Sequence, residues 1–323
     1  MAEMPHFPAS KPASAFKITG ACETVLAHYG GDIQNIWLDT VCIDQKNPHE
    51  LSASINSMYR WYKQAEVCFA LLGDYPGPGV RVFTDSRWFT RGWTLQELVA
   101  PRNVRFFDRN WKYVGDKESL AEALIARTKI GRDFLLGRSN IGRASVSQRM
   151  GWYAGRITTV EEDAAYCLLG LFGVNLPLLY GEGKERAYRR LQEEIMRYSD
   201  DHSLFVWKSS EPLKQGSGLL ADDPKYFSGT GDYVHKGSRL NNRPYQMTNK
   251  GISIDLYLQE HQGVYVASLD CPHGSNHYVG IYLECLSSET QQYRRTKTNE
   301  LCKIVESGRG QLRSIFVKPL DEV

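Results

Sequence analysis

The sequence predicts an α/β core with a parallel sheet, a helical cap on that core, and a β-rich C-terminal domain. Three observations predict this order: strand-length apolar runs alternate with amphipathic helices to about residue 130, the pattern over residues 145–198 is wholly helical, and short strand-like runs follow residue 207. The boundaries drawn from these changes are a disordered lead-in over 1–15, a first domain over 16–207 divided into an α/β core (16–130) and a helical part (131–207), and a β-rich domain over 208–323.

The predicted core begins with a helix over residues 16–29 and a strand over residues 36–43. The strand is almost continuously apolar, which is typical of a strand buried on both faces of a parallel sheet. Apolar side chains at helical spacing over 49–64 and a second buried run at 67–72 complete a predicted βαβ unit. The alternation continues with a helix over 86–99, a strand over 103–108 and a helix over 117–128.

The later elements follow the same reasoning. Helices are predicted over residues 164–172 and 182–198, and they form the cap. Short runs with strand character after residue 207 predict an antiparallel sheet. These runs are residues 252–258, 264–269, 278–283 and 315–317.

Composition excludes several classes of protein. Of the 323 residues, 42% are hydrophobic and 24% are charged, which is an ordinary globular balance, and a net charge of +2 predicts no binding to nucleic acid or anionic membranes. No apolar run approaches the roughly 20 residues of a membrane-spanning helix. The seven cysteines are odd in number and widely spaced, which favours reduced thiols and a cytoplasmic protein.

Six strings between residues 37 and 195 are too specific to be attributed to composition. They are WLDTVCIDQ at 37–45, SINSMYRWY at 54–62, RWFTRGWTLQEL at 87–98, EDAAYCLLG at 162–170, LLYGEG at 178–183 and LQEEI at 191–195. Together they resemble the heterokaryon incompatibility (HET) family of fungal proteins, over about residues 16–207.

This resemblance implies a function in vegetative incompatibility, a form of fungal innate immunity in which self/non-self recognition leads to regulated cell death. It implies protein partners: copies of the chain itself, an NLR-type sensor or an allelic incompatibility partner. The family fold is related to the flavodoxin-like TIR domain, and some TIR domains cleave NAD. An NAD glycohydrolase activated by clustering, with NAD as the substrate, is therefore an alternative to action by association alone.

A third alternative is a degenerate scaffold copy. Family members usually open with a strand and a Trp-Gly turn ahead of the first helix, whereas this chain begins with Met-Ala-Glu-Met-Pro. A site that the opening strand helps to build is expected to be incomplete here.

Two carboxylates are the candidate catalytic residues. Asp39 interrupts an apolar run, where a carboxylate must be paired, hydrogen-bonded or functional, and ligands of open α/β sheets bind near the carboxyl ends of strands. By analogy with TIR-like NAD hydrolases, Glu97 is the leading candidate, because a carboxylate beside an aromatic ring can have a raised pKa. The alternatives are a backbone-capping role for Asp39 and a structural Arg–Glu pair at Glu97.

Four further residues are candidates for cofactor binding. Arg87 and Arg91 carry planar donor forks that suit phosphate, although exposed arginines are commonly only solvated. Trp93 and Glu97 are four residues apart and are expected on one helix face. Asp44 follows the predicted strand at the end where a ligand would bind.

Two other patterns are interpreted as structural. The segment GEGK at residues 181–184 lacks the upstream glycine and the Ser or Thr of a phosphate-binding loop, so a loop-to-helix junction is favoured. Cys271, His273 and His277 have a metal-like spacing, but a turn is favoured, and no metal is predicted.

Overall fold

A small mixed sheet flanked by helices forms the N-terminal part of the protein. The computed structural model describes residues 12–79, 82–213, 216–233 and 244–318. Strand β1 (Cys68–Leu71) pairs in parallel with β2 (Val104–Phe107), with Cys68 opposite Val104 and Leu71 opposite Phe107, and β3 (Tyr113–Asp116) pairs antiparallel with β2. The elements are α1 (Pro12–Tyr29), α2 (Asp39–Cys42), α3 (Pro48–Gln64), β1 (Cys68–Leu71), α4 (Thr94–Val99), β2 (Val104–Phe107), β3 (Tyr113–Asp116) and α5 (Ala121–Thr128).

Several predicted elements of this part are confirmed. Helix α3 begins one residue before the predicted 49–64, and β1 and β2 lie within the predicted strands. Helix α1 begins at Pro12, so residues 12–15 are helical rather than part of a lead-in, and residues 1–11 lie outside the described residues. Strand β3 was not predicted, because a short exposed strand has no apolar run to mark it.

The strand predicted over residues 36–43 is wrong. Residues 33–38 are not in a regular element, α2 is a single turn with no buried residue, and Ile43 alone in this range is buried. The Asp39 carboxylate accepts the backbone N–H of Thr40 at 2.7 Å, and the Asp44 carboxylate accepts that of Lys46 at 3.0 Å. These local bonds favour turns over a strand ladder. The parallel crossover of this part therefore runs from β1 through α4 to β2.

The helix predicted over residues 86–99 is interrupted. A 3-10 turn at Arg87–Thr90 precedes α4, and Arg91 between them is extended. The backbone N–H of Gly92 donates to the carbonyl of Ile157 at 2.8 Å, and Arg91 forms a parallel bridge with Ile157. A contact with a residue 65 positions away along the chain thus replaces the hydrogen bond that would have continued the helix.

The middle of the chain is helical, as predicted, but in shorter pieces. The predicted helix 164–172 is two single turns, because the Cys167 carbonyl accepts the side-chain amide of Gln96 at 2.7 Å instead of continuing the helical ladder. The helices are α6 (Arg132–Leu135), α7 (Val146–Tyr153), α8 (Asp163–Tyr166), α9 (Leu169–Phe172) and α10 (Lys184–Tyr198).

The C-terminal part is a sheet that closes on itself. Its strand order is β10-β8-β7-β6-β5-β4, β10 also pairs with β5, and β9 pairs with β7. The predicted antiparallel runs all lie within strands, although β10 and β8 pair in parallel. The strands are β4 (Gln246–Thr248), β5 (Gly251–His261), β6 (Val264–Pro272), β7 (His277–Ser287), β8 (Gln292–Thr296), β9 (Cys302–Val305) and β10 (Gln311–Val317).

The helical part and the C-terminal sheet share one hydrophobic core. The connection between them contains a 3-10 turn, His202–Phe205, and then Trp207, all of it buried. Arg295 of β8 is completely buried and donates to the carbonyls of Phe205 (3.0 Å) and Trp207 (2.5 Å). Its guanidinium lies 3.8 Å from the centre of the Trp207 ring, which is a cation–π distance. Strand β8 therefore contacts this connection directly.

Among the described residues, no helix combines the length and apolar character needed to cross a membrane. The seven cysteines are free thiols, and Cys68, Cys167 and Cys271 are buried, whereas Cys42 is exposed.

Candidate functional site

The Glu97 carboxyl group on α4 is the centre of the candidate site. It is half-buried, and the side chain of Trp88 donates a hydrogen bond to it. Burial first, and then the charge of Asp39, raise the pKa of Glu97, while Arg91, the bond from Trp88 and Arg156 oppose the rise, and the resulting pKa is about 7. A carboxyl group with this pKa can donate or accept a proton near neutral pH.

Asp39 and Glu97 lie within electrostatic reach of each other. Asp39 projects from the exposed turn α2, and its charge acts on both Glu97 and the half-buried Tyr62 of α3. Burial raises the pKa of Tyr62 far above its usual value, and the charges of Glu97 and Asp39 add to this. The structure therefore brings the segments 37–45 and 87–98 together around one pair of carboxyl groups.

Arg91 and Trp93 lie in the interrupted segment before α4, and their side chains act on different groups. The side chain of Arg91 is exposed, and its charge lowers the pKa of Glu97. Trp93 precedes the first residue of α4 and donates its indole N–H to the Asp163 carboxylate at 2.9 Å. The expectation that Arg91, Trp93 and Glu97 share one helix is wrong, because α4 begins only at Thr94.

Arg87 and Asp44 make their described contacts elsewhere. The Arg87 side chain is exposed and lies 3.6 Å from the Asp74 carboxylate, which also accepts the backbone N–H of Arg87 at 3.0 Å. Asp44 closes a local turn with Lys46, and its backbone N–H donates to Glu50 at 2.8 Å. Among the described contacts, none joins either residue to Glu97, so their cofactor role stays a prediction.

Sequence reasoning missed the buried groups around the site. Arg156 donates to the Arg91 carbonyl (2.8 Å) and to the Thr94 hydroxyl (2.9 Å), and burial lowers its pKa to about 10. Lys117 donates to the Pro101 carbonyl at 2.7 Å, and burial lowers its pKa to about 8. Neither lies in a run that marks it as buried. The helical stripe of α3 could have indicated Tyr62, because Tyr62 falls on the same helix face as the buried residues Ile55 and Met58.

Arg156 positions the backbone of the segment that leads into α4. Its two bonds fix the extended residue Arg91 against the first residue of α4. Its positive charge is one of the influences that lower the pKa of Glu97. The orientation of α4 at the carboxyl pair thus depends on a side chain from the helical part.

The loop at residues 181–184 binds the side-chain carboxylate of Glu162. The backbone N–H groups of Gly181 (2.8 Å) and Gly183 (2.9 Å) both donate to one oxygen of Glu162. These bonds, the one from Gly183 first, hold the pKa of Glu162 below its usual value. The interpretation as a loop-to-helix junction is confirmed, because α10 begins at Lys184.

The Cys271, His273 and His277 group lies at the turn between β6 and β7. The backbone N–H of His273 donates to the carbonyl of His277 at 2.7 Å, which closes the predicted turn. Cys271 is buried, and burial raises the pKa of its thiol well above the usual value. The described part of the chain contains no cluster of three or more His, Cys, Asp or Glu side chains suited to a metal ion.

Comparisons with known proteins agree with the motifs. Residues 9–77 match the family described as heterokaryon incompatibility protein (HET), and residues 186–225 match a domain of unknown function, DUF8212. The vegetative incompatibility protein HET-E-1 of Podospora anserina is 45% identical over 185 residues, which are 54% of this chain and 13% of that protein. No solved structure matches the chain. The chain is therefore similar to heterokaryon incompatibility proteins, by a match to the HET family over residues 9–77 and by 45% identity to HET-E-1 over 185 residues.

Proposed function

We propose that this protein acts in heterokaryon incompatibility, and that its HET domain triggers regulated cell death by associating with copies of itself, a sensor or an allelic partner in the cytoplasm. The observation that carries the proposal is the 45% identity to a vegetative incompatibility protein over 185 residues. Because the chain spans only 13% of that relative, the partner is inferred from this chain's own surface.

Exposed apolar side chains near the candidate site support action by association. Ile157, Leu179 and Tyr180 expose 72%, 51% and 44% of their surface. Tyr180 donates to the Asp163 carboxylate at 3.0 Å, Trp93 donates to the same carboxylate, and Ile157 forms a backbone bridge with Arg91, so Tyr180 and Ile157 each adjoin the segment that carries Glu97. Clusters of exposed apolar side chains on a folded protein mark interaction surfaces more often than single ones do.

Expression in a filamentous fungus tests this proposal. We expect the wild-type chain to arrest growth and Ile157→Asp to abolish the arrest at equal protein level, because a charge there opposes burial against a partner. Leu312→Asp is the matched control, since Leu312 is also exposed (48%) but lies on β10, and it should arrest growth like the wild type. Normal growth with the wild-type chain would instead favour a degenerate scaffold copy.

We also propose that the N-terminal part has a TIR-related, flavodoxin-like fold. It is supported by the parallel pair β1 and β2 joined through α4. It also supplies the second candidate function, an NAD glycohydrolase activated by clustering.

A specific observation favours that second function. The pKa of Glu97 is raised to about 7, chiefly by burial and then by the charge of Asp39, which lies within electrostatic reach. Cleavage of an N-glycosidic bond requires a negative group near an oxocarbenium-like centre and a group that orients or deprotonates water. A carboxylate can stabilise the oxocarbenium-like centre, and the ionised form of Glu97, which is populated near pH 7, can accept a proton from the attacking water.

Artificially clustered protein incubated with NAD distinguishes the two functions. An enzyme releases nicotinamide, and Glu97→Gln should reduce the release by about 10²- to 10⁴-fold, the usual size of a general acid–base contribution. Glu289→Gln, at an exposed turn of the C-terminal sheet, is the control and should leave the rate unchanged. No release from the wild-type protein at any concentration would remove the enzymatic function and leave association.

A further inference from the structure

A buried histidine joins the end of the helical part to the C-terminal sheet. His202 begins the 3-10 turn after α10 and exposes 6% of its surface. Its Nδ1 accepts the backbone N–H of Asp270, in β6, at 3.2 Å. The imidazole ring also packs against the rings of Phe205 and Tyr245, with centroids 6.1 and 5.7 Å away.

The strand that receives His202 is irregular at this point. Ser268 pairs with Gly280, and the next pair is Pro272 with Tyr278, so β6 has three residues where β7 has one. Such a bulge takes backbone groups out of the regular ladder. The Asp270 N–H is one of them, and the His202 ring supplies its acceptor. A buried N–H that loses its acceptor costs roughly 1–3 kcal/mol.

Only a neutral imidazole can make this bond. Neutral histidine has one nitrogen that accepts, whereas the protonated ring donates from both nitrogens. Imidazole groups ordinarily titrate near pH 6.5, within the range of cellular pH. Protonation of His202 therefore removes the acceptor from the Asp270 N–H and places a positive charge inside the core.

Charged and titratable groups surround the ring. Asp200 and Asp201 lie on the same connection, Tyr245 packs on the ring, Asp270 and Cys271 come from β6, and Arg309 faces Cys271. Burial first, and then the charges of Asp201 and Asp270, raise the pKa of the Cys271 thiol, and Arg309 opposes this rise. Every variant used to test His202 must leave these groups unchanged.

We propose that the contact between His202 and the β6 bulge is a proton-sensitive latch, closed at neutral pH and released when the imidazole is protonated. Release frees the 3-10 turn from β6. It leaves the carboxylate of Asp201 in place, where it accepts the backbone N–H groups of Val146 (2.7 Å) and Ser203 (2.8 Å). The first residues of α7 therefore stay protected while β6 opens, which makes the opening local.

Amide hydrogen exchange of the full chain tests the latch, with rates corrected for the intrinsic effect of pH. In the wild type, the protection of Asp270 should be constant above pH 7.5 and fall about tenfold per pH unit below the titration of the imidazole. The Val146 amide is the internal reference and should not change.

Two variants separate the histidine from its neighbours. In His202→Asn the amide oxygen occupies the place of Nδ1, accepts the same N–H and does not titrate, so protection of Asp270 should stay constant from pH 7.5 to 5.5. His202→Ala should lose the protection at every pH. A wild-type protein whose Asp270 protection does not change with pH, or an Asn variant that loses protection like the wild type, would overturn the latch. The Asn variant retains the test even where the Ala variant fails to fold.

Discussion

At the scale of single residues, Glu97 links the candidate chemistry to stability. Its pKa rises from 4.5 to about 7 on folding, chiefly through burial, so the folded protein keeps a proton that the unfolded chain releases. The folded state binds more protons between these two values, and stability therefore falls as the pH rises from about 4.5 to about 7. The burial that gives Glu97 a pKa suited to proton transfer at neutral pH therefore also lowers the free energy of unfolding at alkaline pH.

Glu97→Gln is expected to stabilise the protein at pH 8 and to have no effect at pH 4. Glutamine cannot ionise and still accepts the bond from Trp88, so it removes the cost of a half-buried charge, about 1–3 kcal/mol after allowance for solvent screening. Urea unfolding at the two pH values measures the difference. An equal change at both values would mean that ionisation of Glu97 is not the cause.

At the scale of elements, the break between the 3-10 turn and α4 positions the site. Gly92 sits at this break, and a Cβ atom there would come within 2.5 Å of the Thr158 methyl group and 3.2 Å of both Cys167 Sγ and the Tyr153 ring. The break persists because a glycine lets the backbone approach the helical part closely enough to bond with Ile157.

Gly92→Ala is therefore expected to destabilise the protein by about 1–3 kcal/mol, the usual cost of overpacking. Gly155→Ala is the control, because a Cβ at Gly155 meets no atom within 4 Å. Thermal unfolding of both variants measures the difference, and equal melting temperatures would show that the approach at Gly92 is not tight.

The same scale explains which elements the sequence could predict. Helix α3 and strands β1 and β2 follow from apolar patterns within their own residues. The interruption at Gly92 and the division between α8 and α9 depend on Ile157 and Gln96, each more than 60 positions away along the chain. The apolar pattern over residues 36–43 predicted a strand. The chain instead forms turns there, in which the carboxylates of Asp39 and Asp44 accept backbone N–H groups of nearby residues.

Some residues of the candidate site could be predicted from the sequence, and others could not. Asp39 and Glu97 could be proposed from strings in the sequence, and the structure brings them together. Arg156 and Lys117 carried no signal, because a buried cation is recognisable only from the groups that surround it.

At the scale of the whole molecule, the boundary predicted at residue 207 falls inside a continuous core. Trp207 is completely buried against Arg295, and its indole N–H donates to the Leu219 carbonyl at 2.6 Å. Arg295 has no carboxylate partner among the described residues, and carbonyl groups and an aromatic face compensate its charge instead. Burial lowers the pKa of Arg295 to about 9.

Arg295→Ala is expected to destabilise the protein by about 3–5 kcal/mol, since it leaves two carbonyls without donors and a cavity beside Trp207. The neighbouring Arg294→Ala removes only a partly exposed pair with Glu284 (3.0 Å) and should cost less than about 1 kcal/mol. Denaturant unfolding compares the two variants, and a similarly small loss of stability in both would show that the C-terminal sheet does not contribute to the folding of the N-terminal part.

The pairing of β10 with both β5 and β8 has a consequence for assembly. A ring of strands offers few unsatisfied backbone groups for recruiting further chains, and here the strands outside the ring, β4 and β9, have only three and four residues. Uncontrolled fibre growth through this sheet is thereby disfavoured. If the protein clusters to kill a cell, reversible contacts between side chains elsewhere must carry that clustering.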